Sequence, residues 1–527
     1  MTDMQSHTDN NYRNYYDRAT AKLALKKYDE AIENYNKSIN LNPDNEKSYR
    51  LLGLAFFEKG EPDCAIEYYK KSIKLKPDNP DTLYLFGNAY LAKGQIDTAL
   101  EYFDKSIDLD PYSSHAYSSR GNAYSQKGEY DTAIEDYTKA IELRYDNTKA
   151  LRNRATIYII REEADLALND LNKAIELRPE LADLYNTRGQ AMRIKGKLDH
   201  AIEDYTKAIE LNPEYVEAYN NRGVIFGEKG EYELAINDFD TIINIEEKNL
   251  NAYNNRAKVY TIMGEYELAI KDYNKAHEFA PEDAVIYNNR GTAYKFNGEL
   301  DRAIQDYNEA IELNPNYANP YYNRGNTYGQ MDKLDSAHQD LTKAIELQPN
   351  YAEVYGSLGF VYEKKGELDL AIKEYTKAIE LKPDYTEMYI NRGAVFKRMK
   401  NYDSAIENYT KAVELNPNNG YSYFNRASAY ERKGDISKAI IDINKTIHCM
   451  PRFSLAYYFR AMLLLCMKNW TKAKDDLNIA NTLGENIATL FQNIYSTIPE
   501  FEQKHNVKLP EDIAAMLTPP QTNNPIH

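Results

Sequence analysis

A period of 34 residues constrains this chain more than any other feature. Segments such as GEYDTAIEDYTKAIELR, GKLDHAIEDYTKAIELNP and GELDLAIKEYTKAIELKP recur, and aligning their Ala-Ile pairs gives a spacing of 34 residues without insertion or deletion. Fourteen copies follow one another from Tyr12 to Ile487 and leave only short ends of the 527 residues uncovered. Length alone would suggest about three or four globular domains. Self-similarity overrides that expectation, because a short copy cannot bury its apolar face alone and must stack on its neighbours.

Positions within a copy are numbered as slots 1 to 34. Slot 20 is Ala in all fourteen copies, slot 8 is only Gly or Ala, and slot 32 is Pro in eleven. Two helical periodicities flank a break at slot 15, which is Gly in nine copies and suits a helix C-terminal cap. In the copy from Val216, Tyr219, Gly223 and Phe226 form one stripe, and Ala235, Ile236, Phe239, Ile242 and Ile243 a second. Slots 8 and 20 lie about equally far from the central turn, so in an antiparallel hairpin their small residues meet and let the backbones approach. Proline at slot 32 then ends the second helix, lacking an N–H and clashing with the preceding turn.

This pattern of small residues at slots 8, 20 and mostly 27, aromatics at 4, 11, 17 and 24, and Pro at 32 resembles the tetratricopeptide repeat. The resemblance implies an all-α, right-handed superhelical solenoid of antiparallel helix pairs, with a concave groove lined by the first helix of each repeat. Of 48 tyrosines, 33 occupy slots 4, 11, 17 and 24, which assigns them to packing rather than to a cofactor cage. The expected organisation is a polar tail over 1–11, fourteen repeats over 12–487, one capping helix over 488–509 and a short turn with a disordered tail over 510–527.

Charge and chemistry narrow the function. A net charge of −16 opposes nucleic-acid binding. The longest uncharged apolar run, Ala461 to Met467, is far below the roughly 20 residues that span a bilayer, and the N-terminus has no secretory apolar stretch, so a cytoplasmic protein without membrane insertion is expected. Cys64, Cys449 and Cys466 are too far apart for a disulfide framework or a metal site. None of the eight histidines has ligand spacing, and no phosphate-binding glycine loop occurs. We expect no enzyme and no cofactor, but a scaffold for protein partners. A structural or assembly solenoid without a groove function is the alternative, with RNA binding a distant third.

Two slots change together. Slot 7 is Arg in eleven copies, and in those copies slot 23 is Asp nine times and Asn twice, at Asn34 and Asn408. Where slot 7 is Leu52, Phe86 or Leu358, slot 23 is Tyr68, Tyr102 or Glu374. The covariation predicts an ion pair between the two helices of one repeat, fixing hairpin register.

For the groove, the resemblance excludes the two-carboxylate clamp that holds chaperone C-termini. Slot 5 is basic only at Arg50 and Arg152, with Leu54 and Thr156 at slot 9, and slot 6 is never Lys or Arg. Slot 6 is instead Asn at Asn153, Asn221, Asn255, Asn289, Asn323, Asn391 and Asn425, flanked at slot 5 by Asn220, Asn254 and Asn288. Similar asparagine ladders in the O-linked N-acetylglucosamine transferase and in importins imply a grip on the backbone of extended peptides, since a carboxamide offers both donor and acceptor. The competing reading is that these amides bridge helices within the stack. Leu51, Leu54, Phe57, Tyr84, Leu85 and Leu91 add an apolar patch in the second and third repeats, and Lys364, Lys397, Arg398 and Arg432 a basic strip at slots 12 and 13. The patch is either a partner site or self-covered, and the strip either a solvated face or an acidic-peptide site.

Overall fold

The structure is a computed structural model that describes residues 2–519, with side chains from residue 11 onward. Thirty-one α-helices and no strand occur among the described residues. The chain divides into two compact units, Met1–Val259 and Tyr260–His527. Each is a solenoid of consecutive antiparallel helix pairs, one pair per repeat. Repeat 2, for example, contributes Glu46–Glu58 as its first helix and Pro62–Leu75 as its second.

The turn inside each pair follows from slot 15. All nine glycines there take a left-handed backbone, with φ of 71–89°. So do Lys26, Glu162, Asp332, Lys400 and Lys468, which fill slot 15 in the other five repeats with φ of 57–61°. A side chain in this region costs about 1 kcal/mol relative to Gly, so the turn geometry is imposed by the packing of the two helices.

The hairpin interior shows how the small residues work. Ala at slot 20 is fully buried in every repeat. The small residue at slot 8 faces the large side chain at slot 24 rather than chiefly Ala at slot 20: a Cβ on Gly53 would lie 2.6 Å from the ring of Tyr69, and one on Gly189 2.6 Å from that of Tyr205. In three of the five repeats with Ala at slot 8, Ala155, Ala427 and Ala461, slot 24 is the smaller Leu171, Ile443 or Leu477, so volume added on one helix is removed from the other, while Ala19 and Ala257 face Tyr35 and Tyr273. The slot 24 tyrosines, among them Tyr69, Tyr205 and Tyr375, are the largest fully buried side chains.

The covarying slots form a bidentate fork. Arg120 reaches Asp136, Arg154 Asp170, Arg188 Asp204 and Arg222 Asp238 through Nε and Nη2 at 2.6–2.9 Å. Arg290, Arg324, Arg426 and Arg460 grip Asp306, Asp340, Asp442 and Asp476 in the same way. The third nitrogen, Nη1, leaves the repeat: it donates to slot 25 of the preceding one, from Arg120 to Asp104, Arg154 to Thr138, Arg188 to Asn172 and Arg222 to Thr206 at 2.7–2.9 Å. One guanidinium thus closes its own hairpin and clips it to a neighbour, a use that matches the planar, multi-donor shape of arginine and that lysine could not copy.

Both ends differ from expectation. Residues 2–11, expected as a tail, belong to the first helix, Thr2–Ala24, because nothing in them breaks a helix that the following turns already nucleate. The single capping helix expected over 488–509 is two helices, Ile487–Ile494 and Ile498–His505, followed by a third at Glu511–Leu517. The break is a variant of the capping box: the N-cap Thr497 Oγ1 accepts from the Glu500 N–H at 3.3 Å, while Glu500 Oε2 accepts from the N–H of the preceding Ser496 at 2.8 Å. Phe491, Phe501, Ile513 and Leu517 from these helices cover Tyr458, Leu465 and Leu477 of repeat 14. His505 joins the two layers, with Nδ1 3.3 Å from Cys466 Sγ and Nε2 2.8 Å from Tyr495 Oη, and burial pushes the Cys466 thiol up to about 11. The tail expected at the C-terminus lies, from residue 520, outside the described residues. No described helix is long and apolar enough to cross a membrane.

Candidate peptide-binding surface

Helical spacing places slots 2, 5, 6, 9, 12 and 13 on one face of each first helix, opposite the face buried on the second helix. In repeats 2 to 5 this face forms a cleft of about 600 Å³. Its apolar wall is Leu54, Phe57, Tyr84, Leu85 and Leu91, and its polar end includes His115, Asn122, Gln126 and Asn153. The structure therefore brings most of the sequence-predicted apolar patch together with the first asparagine of the column. Leu51 does not join them. It packs inward against the core formed by Ala19, Tyr35 and Leu52.

Within the cleft two amides escaped the sequence reading. Asn88 and Asn122 occupy slot 9 of adjacent repeats and both line the cavity. Asn122 Oδ1 accepts from Tyr137 Oη at 2.7 Å and from Asn153 Nδ2 at 2.8 Å, which fixes the orientation of its amide and leaves Nδ2 without an acceptor among the described residues. Asn88 has no side-chain hydrogen bond among the described residues, so two carboxamides one repeat apart present donors to the cavity. Their sequence signal is an amide at slot 9 in two consecutive repeats, a much shorter run than the column at slot 6.

Along the rest of the column, slot 6 amides tie first helices together. Asn221 Nδ2 donates to Asn186 Oδ1 at 3.0 Å, Asn255 to Asn220 at 2.9 Å and Asn323 to Asn288 at 2.9 Å, each acceptor being slot 5 of the preceding repeat. Asn288 in turn donates to Asn289 Oδ1 at 3.3 Å. Asn254 and Asn289 also interact within the chain. Asn391 and Asn425 follow repeats whose slot 5 is Gly356 and Ile390, which offer no amide, and neither side chain is hydrogen-bonded among the described residues.

The basic strip is largely compensated. Arg398 pairs with Glu363 at 3.0 Å, Arg432 lies 3.4 Å from Glu431, and Lys364 sits 5.5 Å from the Phe360 ring centroid. Lys397 is half-buried, and burial, reinforced by Arg432, pushes its ammonium below the usual lysine range. No group of three or more His, Cys, Asp and Glu able to hold a metal ion occurs among the described residues.

Comparison with known proteins agrees with the architecture. Sequence profiles described as "TPR repeat" match residues 20–60, 55–91, 87–128, 189–230, 293–332 and 364–400. Profiles described as "Tetratricopeptide repeat" match 115–144, 250–283, 318–351 and 386–419, then 341–373 and 408–441, and 216–249. No curated protein matches the chain. Among solved structures, it is similar to a chain of the "Crystal structure of APC/C hetero-tetramer Cut9-Hcn1", at 18% identity and a TM-score of 0.41, over 87% of this chain and 98% of that one.

Proposed function

The chain belongs to the tetratricopeptide-repeat family, a scaffold for protein interaction or assembly, and from that premise we propose that its first-helix face holds an extended peptide segment of a partner protein. The cleft of repeats 2 to 5 carries this reading. An extended chain turns alternate side chains to opposite sides, so one set can enter the apolar wall at Leu54, Phe57 and Leu91 while its carbonyls accept from the amides of Asn88 and Asn122. Backbone carbonyls are common to all sequences, so the amides supply affinity and the apolar wall supplies selection. Cytoplasmic action without cofactor, nucleic acid or membrane insertion belongs to the same proposal.

The test is to select extended peptides against the intact chain from a random library and to measure their affinity for variants. Leu54→Asp with Leu91→Asp should weaken binding by about tenfold or more, because an apolar side chain is then set against a buried charge. Asn88→Ala with Asn122→Ala should weaken it through two lost bonds of about 0.5–1.5 kcal/mol each. Both variants should keep full helicity. Undiminished binding by well-folded variants would place recognition elsewhere.

A purely structural role is favoured for one part of the column. The bonds from Asn221, Asn255 and Asn323 to the preceding repeats support the reading in which these amides hold the stack, so replacing them should cost stability before it costs capture.

A further inference from the structure

Repeat 12 has the fork's arginine without its carboxylate. Arg392 fills slot 7 and Asn408 slot 23. Arg392 Nε donates to Asn408 Oδ1 at 2.8 Å and Nη1 to Thr376 Oγ1 at 2.9 Å, so the guanidinium is held by the same two slots as in the other repeats. There Nη2 reaches a second carboxylate oxygen at 2.6–2.8 Å. The second branch of Asn408 is instead a nitrogen, which donates to the Ser404 carbonyl at 2.8 Å. A donor cannot replace an acceptor, and Nη2 of Arg392 has none among the described residues.

The charge has no ion pair among the described residues either, and the field of Glu407 does not offset its burial. Aspartate holds the guanidinium of Arg120, Arg188, Arg290, Arg426 and Arg460 above the ordinary arginine range, whereas burial pushes that of Arg392 below it. Glu407 is exposed and makes no ion pair with it, and Lys411 is paired with Glu414 at 3.2 Å. Repeat 1 shares the Asn but not the consequence, because Arg18 is exposed and water solvates it. Arg392 instead lines a cavity of about 590 Å³ with Tyr389, Phe396, Asn408 and Lys411, and with the carboxylates Glu407 and Glu414 at its edge.

We infer that this cavity receives one carboxylate of a partner protein, which accepts from Nη2 and completes the fork that repeat 12 lacks. The ligand class follows from the eight intact forks, in which the same guanidinium binds a carboxylate. A half-buried charge without a counter-ion is costly, so the site gains by being filled. The net charge of −16 repels acidic runs at long range, which favours a lone carboxylate, from a side chain or a chain terminus, in an otherwise neutral segment.

The test follows the Arg392 Nε–H resonance of the intact chain, assigned as the signal lost in Arg392→Lys, during titration with three probes. N-acetylglycine mimics a chain terminus, N-acetylglutamate α-amide an acidic side chain, and N-acetylglutamine α-amide is the control. At least one carboxylate should give a saturable shift, with the control weaker by about tenfold or more. Response to the first alone assigns a terminus, to the second alone a side chain. Asn408→Asp installs the pair of the other repeats, keeps the circular dichroism of the parent and should abolish the response. No saturable shift with either carboxylate, an equal response to the control, or a response retained in Asn408→Asp would overturn the inference.

Discussion

Repeats 2 and 3 and repeats 4 to 7 build the same hairpin from opposite chemistry. In the first pair, slot 7 is apolar: Leu52 is fully buried, and Phe86 packs against Tyr90 and Tyr102 at ring-centroid distances of 4.8 and 4.5 Å. In the second group the same slots hold a charged fork with a third bond to the preceding repeat. Hairpin geometry is therefore set by the small residues and the large apolar side chain at slot 24, which both groups share. The fork adds register and a directional link between repeats, whereas repeats 2 and 3 are joined instead by Glu46, which accepts from Thr82 at 3.0 Å, and by Arg50, which pairs with Asp81 at 3.1 Å. The same block of sequence is apolar on its outer face, where Leu54, Phe57 and Leu91 line the cleft.

Breaking a fork is the strongest way to test that contrast. Arg222→Met strands the Asp238 carboxylate, whose side chain is 1% exposed, and should cost about 3–5 kcal/mol. Arg222→Leu with Asp238→Tyr copies repeat 2 and should recover most of the loss. Because repeat arrays depart from two-state unfolding, hydrogen exchange in Tyr232–Ile245 is the appropriate readout. The shared element should behave alike in both groups. Gly53→Ala and Gly189→Ala each set a Cβ 2.6 Å from a buried tyrosine ring and should each lose about 1–3 kcal/mol, measured by hydrogen exchange in Pro62–Leu75 and Leu198–Leu211. Unequal losses would show that the hairpin contact differs between the groups.

Smaller effects sharpen the picture of linkage. Asn221→Ala and Asn255→Ala remove inter-repeat donors and should each lower stability by about 0.5–1.5 kcal/mol, seen as faster exchange in their first helices. Glu162→Gly relieves a left-handed residue with φ of 60° and should raise stability by up to about 1 kcal/mol, seen as slower hydrogen exchange in Ala164–Leu177, with no change in peptide binding.

The fold was legible because one period carries it: Ala at slot 20, Gly at slot 15 and Pro at slot 32 each state a physical requirement many times over. The fork was legible for the same reason, since Leu52 with Tyr68 and Phe86 with Tyr102 break the pattern together. Its third bond was not, because it joins different repeats and depends on which helix faces dock. A trace existed, as slot 25 is Lys70 only ahead of Phe86, where there is no guanidinium to receive. The roles of the asparagines were beyond the sequence, since an amide on a helix face serves a neighbour or a ligand equally well. Asn221 and Asn323 are committed to neighbours, whereas Asn88, three slots from the nearer column, lines the cleft without a hydrogen bond among the described residues. At the C-terminus, the Thr497-to-Glu500 box sat inside an apolar periodicity that read as one helix.

The extended-peptide site proposed in the cleft of repeats 2 to 5 can be trapped chemically. Peptides selected on the intact chain, carrying a photo-crosslinker at each position in turn, test it directly. Crosslinks are expected on the first helices Glu46–Glu58, Pro80–Ala92 and Ser114–Lys127 and should disappear in Leu54→Asp with Leu91→Asp. Crosslinks confined to second helices, or unchanged in that variant, would contradict it.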